Sequence, residues 1–249
     1  MIKILLPLCL FVCCLSAKSQ KKAGEATYKV IIQKDSTIKG SATLNDTYEK
    51  AIFGAKNIEL KLTFSSEKAV FKLVDKLEEL DDKLAIAWCN CRKTIYTDLK
   101  NNLSLYSNTT DKGIFKEYEF LITDTIKNNW EISQESKKIE SFQCYKATQS
   151  VKYKTSKKEF TRLITAWFAP AIPFSFGPKG YAGLPGLILE LHEGNQTYGI
   201  TNLKWLDTDV AIPIPEKGTK ISPYEFDLLY RKRSLEAMQT TESSVEKRK

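Results

Sequence analysis

Apolar and polar residues alternate with a period of two at Thr27 to Gln33, Ile58 to Phe64, Lys93 to Asp98, Phe115 to Thr123, Lys138 to Tyr153, Arg162 to Phe168 and Thr197 to Trp205. That is the period of a pleated strand with one buried face, so each segment is expected to be a strand. Leu187 to Leu191 departs from it, because Leu187, Ile188 and Leu189 are consecutive apolar residues. Such a run predicts a strand inside the sheet and buried on both faces. Its second face then needs a cover, either a helix or the aromatic loop that precedes it. Pro and Gly are nearly absent between residues 55 and 169, so the turns there fall on Asn101-Asn102, Asn108 to Gly113 and Lys127-Asn128-Asn129. Asn and Asp make such turns readily, and a meander of antiparallel strands is expected.

Two helices break this pattern. Val70, Leu73, Val74, Leu77, Leu80 and Leu84 fall at helical spacing, although the first of them also suit a strand. Ser222-Pro223-Tyr224-Glu225 is a capping box with Pro at the first helical position, followed by an apolar face of Phe226, Leu229 and Tyr230. The natural place for this helix is over the Leu187 to Leu191 strand. The expected architecture is α+β, a mainly antiparallel curved sheet with one or two helices. Residues 20–238 read as one domain and 239–249 as a polar, disordered tail.

The N-terminus adds a compartment. Lys3, the apolar run Ile4 to Leu15 and the small residues of Ala17-Lys18-Ser19 form a secretory leader, with cleavage expected after Ser19. The run is too short to span a bilayer, and Leu10-Phe11-Val12 lacks the small residue expected ahead of a lipidated Cys13. The mature chain is therefore expected in the periplasm or outside the cell, with no transmembrane segment. Removing Lys3 and Lys18 lowers the net charge from +8 to +6, with lysines scattered rather than gathered into a stripe. No nucleic-acid partner is expected of such a surface. At 249 residues and 42% apolar, the chain can build a core without a metal or disulfide lattice.

One loop is unusual. Between Pro170 and Gly186, eight of 17 positions are Pro or Gly, interleaved with Ile172, Phe174, Phe176, Tyr181 and Leu184. A solvated linker would not carry those side chains. Either they pack over the end of the sheet, or Phe174, Phe176, Tyr181 and Leu184 form the rim of a binding site. The loop ends in Gly183-Leu184-Pro185-Gly186-Leu187-Ile188, flanked by Ala166-Trp167-Phe168, Ile172-Pro173, Phe176-Gly177-Pro178 and Leu189-Glu190-Leu191. Upstream stand Trp130 and Cys144-Tyr145-Lys146-Ala147, and downstream Pro215 with Lys217-Gly218. The chain resembles the GLPGLI family of exported Gram-negative envelope proteins over roughly residues 58 to 226. That resemblance implies export but no activity and no catalytic residue. A further likeness to lipoprotein-carrier half-barrels is one of architecture alone.

Candidate chemistry is sparse. The single His, His192, rules out any site needing two imidazoles. His192-Glu193-Gly194-Asn195-Gln196 has Gln where a zinc protease needs a second His, and no nucleophile elbow, phosphate loop or dinucleotide fingerprint is present. Cys89, Cys91 and Cys144 remain after the leader. A bridge from Cys89 or Cys91 to Cys144 is one reading. A copper or zinc site of the three cysteines with His192 is the other. The function expected is that of a non-catalytic envelope binding module. Its loop would take an apolar small ligand or an envelope protein, with no cofactor; metal or redox handling through the cysteines is the alternative.

Overall fold

The computed structural model describes residues 22–35, 40–74, 80–108, 115, 118–155 and 157–246, with side chains to Glu236. The expected leader, with Cys13, lies outside the described residues.

β1 (Ala23–Ile32) is central. On one side β2 (Glu59–Phe64), β3 (Lys68–Leu73), β4 (Ile95–Asp98), β5 (Leu103–Ser107) and β6 (Phe120–Thr125) are added in turn, each antiparallel to the last. On the other, β7 (Glu131–Ile139), β8 (Phe142–Lys154), β9 (Glu159–Ala169) and β10 (Leu187–Glu193) lead inward from the far edge to β11 (Gln196–Leu206), which pairs with β1. A short β12 (Thr219–Ile221) runs parallel to β6 and makes the sheet mixed. The result is one open sheet of 12 strands whose two meanders meet at the β1–β11 pair. Register shifts in the β1–β11, β9–β10 and β7–β8 pairs bend it. The sheet is curved but not closed into a barrel, and its wings face each other across a concave side.

The expected strands coincide with these elements, except that Phe115 to Thr123 is strand only from Phe120, with residues 116–117 outside the described residues, and Lys138 to Tyr153 is divided by a turn between β7 and β8. The helical reading of the Val70 run does not hold along its length, because β3 takes Val70 and Leu73 while α2 (Leu80–Cys89) takes Leu80 and Leu84. Leu77 lies outside the described residues. A further helix, α1 (Ala42–Gly54), is capped by Ser41, whose Oγ accepts from Leu44 N at 3.3 Å. It packs on α2 through Gly54, where any Cβ would collide with the Asp81 carbonyl at 2.2 Å. Tyr48 of α1 and Trp88 of α2 meet with ring centroids 4.7 Å apart.

α3 (Pro223–Glu246) begins with the expected capping box: Glu225 N donates to Ser222 Oγ at 3.2 Å, and Ser222 N donates to Glu225 Oε2 at 2.9 Å. The helix continues past Gln239, where composition places the start of a tail. It does not cover the Leu187 to Leu191 strand. Phe226 instead packs on Phe115 and Phe120, beside β6. The cover over β10 is the Pro170 to Gly186 loop, which leaves β9 at Ala169, crosses the concave side and re-enters the sheet at Leu187. Ile188 N donates to Phe176 O at 2.9 Å, and a Cβ on Gly177 would strike Ile188 at 2.7 Å. The apolar run reads as double-faced because a bulge between Ile188 and Glu190 interrupts the alternation at Leu189. Beyond it the strict pattern resumes, with Leu191 and Glu193 buried and Glu190 and His192 partly exposed.

Candidate functional site

The loop turns sharply at Pro178-Lys179-Gly180. Lys179 has φ 58 and Gly180 φ 79, both left-handed, which a lysine adopts only when its surroundings hold it there. The turn reaches across the concave side, and Gly180 sits against Ile95 and Ser104 of the opposite wing. Lys179 points inward, with 18% of its side chain exposed.

It meets Glu193, the last residue of β10, which is 5% exposed. Lys179 Nζ is 2.5 Å from Glu193 Oε2, while Arg162 Nη1 and the Tyr153 hydroxyl approach Oε1 at 3.0 and 3.1 Å. Tyr153 also shares a hydrogen bond with the Tyr181 hydroxyl at 3.0 Å. Burial pushes the Glu193 carboxyl up, but Lys179, Arg162 and the tyrosine hydrogen bond outweigh it and hold the group below the usual carboxylate range. Burial and the neighbouring carboxylate push Tyr153 up to about 12, so both tyrosines stay protonated. Two cations thus share one carboxylate, and of the three Lys179 and Glu193 face a cleft.

That cleft, about 640 Å³, opens between the wings. Tyr153 and Phe160, stacked at 5.3 Å, line one wall, and Tyr106 and Ile122 the other. Tyr224, Phe226 and Tyr230 of α3 close over it, with Lys179, Tyr181 and Glu193 as its floor. Arg162 lies 5.5 Å over the Tyr153 ring and 5.6 Å over Phe160, which stiffens that wall.

Of the residues expected at a binding rim, Phe174 is 6% exposed, Phe176 1% and Leu184 1%; all three belong to the core. Phe174 packs on Phe64 and Trp205. Tyr181 alone of the four lines the cleft. The motif residues Gly183 and Gly186 serve the backbone, with φ 91 and 155; a Cβ at Gly186 would lie 2.3 Å from Ala169 O. Leu187 and Ile188 are fully buried, and Tyr28 OH donates to Ile188 O at 2.6 Å. Pro185 stands between these residues at the mouth of β10.

The cysteines are free and buried, in two places. Cys89 ends α2 in a Schellman turn: Asn90 is left-handed at φ 53, Cys91 N donates to Ile86 O at 3.0 Å and Asn90 N donates to Ala87 O at 3.2 Å. The turn folds Cys91 back beside Cys89, so that the two buried thiols are electrostatic neighbours. They are not strand residues presented to a third partner. Cys91 Sγ lies 3.9 Å from the Tyr198 hydroxyl, which donates to Gln196 Oε1 at 2.6 Å. The neighbouring Cys89 thiol, with Lys179 and Tyr198, pulls the Cys91 thiol down against its burial, and Cys91 together with burial pushes Cys89 up. Cys144, on β8, instead donates to Phe142 O at 3.6 Å and has Lys137 and Glu190 as its charged neighbours.

His192 is on the outer face. Its Nε2 donates to Glu190 Oε1 at 2.5 Å, its Nδ1 accepts from Thr197 at 3.0 Å, and Lys137 reaches the same Glu190 oxygen at 2.7 Å. Thr197, His192 and Glu190 are ordered like nucleophile, base and orienter. However, they sit on β10 and β11, strands paired on both sides, whose ladders engage the amides an oxyanion would require. The structure does not join His192 to the cysteines. Among the described residues no group of three or more His, Cys, Asp or Glu could hold a metal ion, and no helix is long and apolar enough to cross a membrane.

Sequence reasoning missed Lys179, Glu193, Arg162, Tyr153 and the α3 aromatics as a site. One signal was present, since Lys179 is the single charged residue between Pro170 and Gly186.

Residues 130–190 match a family model described as a protein of unknown function, Porph_ging. The stretch contains the Gly183 to Ile188 hexapeptide, but the model does not carry the GLPGLI name expected from it, and it covers about a quarter of the chain. No curated protein matches. Solved structures of PNGF-II in space groups C2 and P21 are similar in fold, each at TM-score 0.50 and 15% identity over 85% of this chain. This chain spans about a third of their length, 32% and 33% respectively. A likeness at that identity concerns the fold alone.

Proposed function

We propose that this protein is an exported, non-catalytic binding protein. In this reading the cleft between its sheet wings takes a small ligand with an apolar or aromatic body and one anionic group. The observation that carries the proposal is the division of labour in the cleft. Tyr153, Phe160 and the α3 aromatics give it apolar walls, while Lys179 lies at its floor and shares Glu193 with Arg162 behind that floor. Ligand sites are commonly concave and apolar with a few convergent polar groups of this sort. The loop acts in this account by its Lys179 to Tyr181 turn, not by Phe174, Phe176 or Leu184, which are committed to packing.

Thermal-shift measurements with aryl and alkyl carboxylates, set against neutral alcohols of the same carbon skeleton, test the reading. Binding to the native state raises the melting temperature. The acids are expected to raise it and the alcohols to do so less. Equal shifts, or none for any acid, would overturn the proposal.

A further inference from the structure

We propose that Cys89 and Cys91 form a redox-active dithiol, in which the Cys91 thiolate attacks an incoming disulfide and Cys89 resolves the product into a Cys89–Cys91 bridge. The inference is independent of the ligand reading and rests on three placements. The Schellman turn at the end of α2 folds Cys91 back beside Cys89, through Cys91 N donating to Ile86 O at 3.0 Å and Asn90 N to Ala87 O at 3.2 Å. Residues two apart lie within about 7 Å even in extended chain and closer in such a turn, inside the Cα range of about 4.4–6.8 Å that a disulfide takes. Lys179 adds positive charge beside the pair, and the Tyr198 hydroxyl stands 3.9 Å from Cys91 Sγ. Lys179 Nζ lies 5.5 Å over the ring of that tyrosine, and a cation nearer one member of a pair favours thiolate there, so that the partner thiol is left to resolve. Asn90, between the two, lines the cleft, so the turn stands at its wall.

The co-reactant is a small disulfide, RSSR. Cys91 thiolate attacks one sulfur, forming the mixed disulfide Cys91–S–S–R and releasing RS⁻. Cys89 then gives its proton to RS⁻ and attacks the Cys91 sulfur, so that the ring closes and a second RS⁻ leaves. The protein loses two electrons, and RSSR is reduced to two thiols. Cys144, held against the Phe142 carbonyl in another part of the sheet, takes no part.

The test is incubation of the full chain with oxidised glutathione, acid quenching, alkylation in denaturant and peptide mapping by mass spectrometry. The expected result is joint loss of Cys89 and Cys91 as one bridged peptide, with Cys144 alkylated. A bridge that includes Cys144, or alkylation of Cys89, Cys91 and Cys144 alike after exposure to excess oxidised glutathione, would overturn it. In Cys89→Ser the mixed disulfide should accumulate on Cys91 at least about tenfold faster than on Cys89 in Cys91→Ser. Equal rates would contradict the assigned roles. The peptide map of the unmutated protein decides the bridge even if either variant fails to fold.

Discussion

Lys179 Nζ stands 2.5 Å from Glu193 Oε2, so a left-handed lysine in the loop is tied to the last residue of the strand that the loop precedes. Breaking that tie from the acid side leaves Lys179 and Arg162 facing each other. Glu193→Gln is expected to lower stability by about 3 kcal/mol, as removal of one member of a buried ion pair does. Lys179→Met should cost less, because Glu193 keeps Arg162 and Tyr153. Urea denaturation of both variants checks the order, which reverses if the lysine rather than the acid is the member most dependent on its partner.

The loop's aromatics behave as core. Phe176→Ala, at a residue 1% exposed, should cost about 3–5 kcal/mol. Gly186→Ala combines a strained φ of 155 with a Cβ 2.3 Å from Ala169 O, and should prevent the loop from seating. Should the Phe176 variant melt within a degree or two of the parent, the filling role assigned to the loop would be wrong.

Ile188→Asp places a carboxylate between the loop and the sheet, at a fully buried position without a cation partner. Its expected cost is several kcal/mol, comparable to the whole stability of many domains. Thr197→Asp, at a half-buried position on β11, should be far milder. Yield of folded protein and melting temperature distinguish the two outcomes.

Glu190 supplies a pH dependence on the outer face. The His192 hydrogen bond, with Lys137, overcomes burial and holds its carboxyl at about 2, against an ordinary value of 4.5. Because the folded-state value is the lower one, Glu190 stabilises fully above the ordinary carboxylate range. That contribution is lost as pH falls from about 4.5 through about 2. Melting temperatures of the parent and Glu190→Gln should therefore differ most near neutral pH and converge towards about pH 2. Parallel curves would show that the His192–Glu190–Lys137 contact contributes nothing.

The strands were legible because period-two alternation is a local signal, and the α3 capping box because its donors and acceptors lie within four residues. α1 was not, since its buried residues Tyr48, Ala51 and Gly54 make a narrow stripe whose partner, α2, is distant in sequence. The Leu187 to Leu189 run was read correctly as buried throughout, but the bulge at Leu189 that interrupts its alternation left no separate mark in the sequence. The cleft was hidden because Tyr153, Lys179 and Tyr230 share a site only once the sheet curves and α3 settles beside β6. Hydrophobic content singled out the loop correctly, but the same content suits packing and binding. Burial does not separate Tyr181, 7% exposed, from Phe174 at 6%; its place on the cleft and its hydroxyl contact with Tyr153 do.

Calorimetric titration with naphthalene-2-sulfonate, beside neutral naphthalene-2-methanol, tests the cleft most directly. The account predicts saturable one-to-one binding of the sulfonate, weaker binding of the alcohol, and a drop of about tenfold in sulfonate affinity in Lys179→Met while the alcohol is unaffected, one ionic contact being worth about 1.4 kcal/mol at such a site. Equal affinity for both probes, or sulfonate binding indifferent to Lys179→Met and to Phe160→Ala, would contradict it.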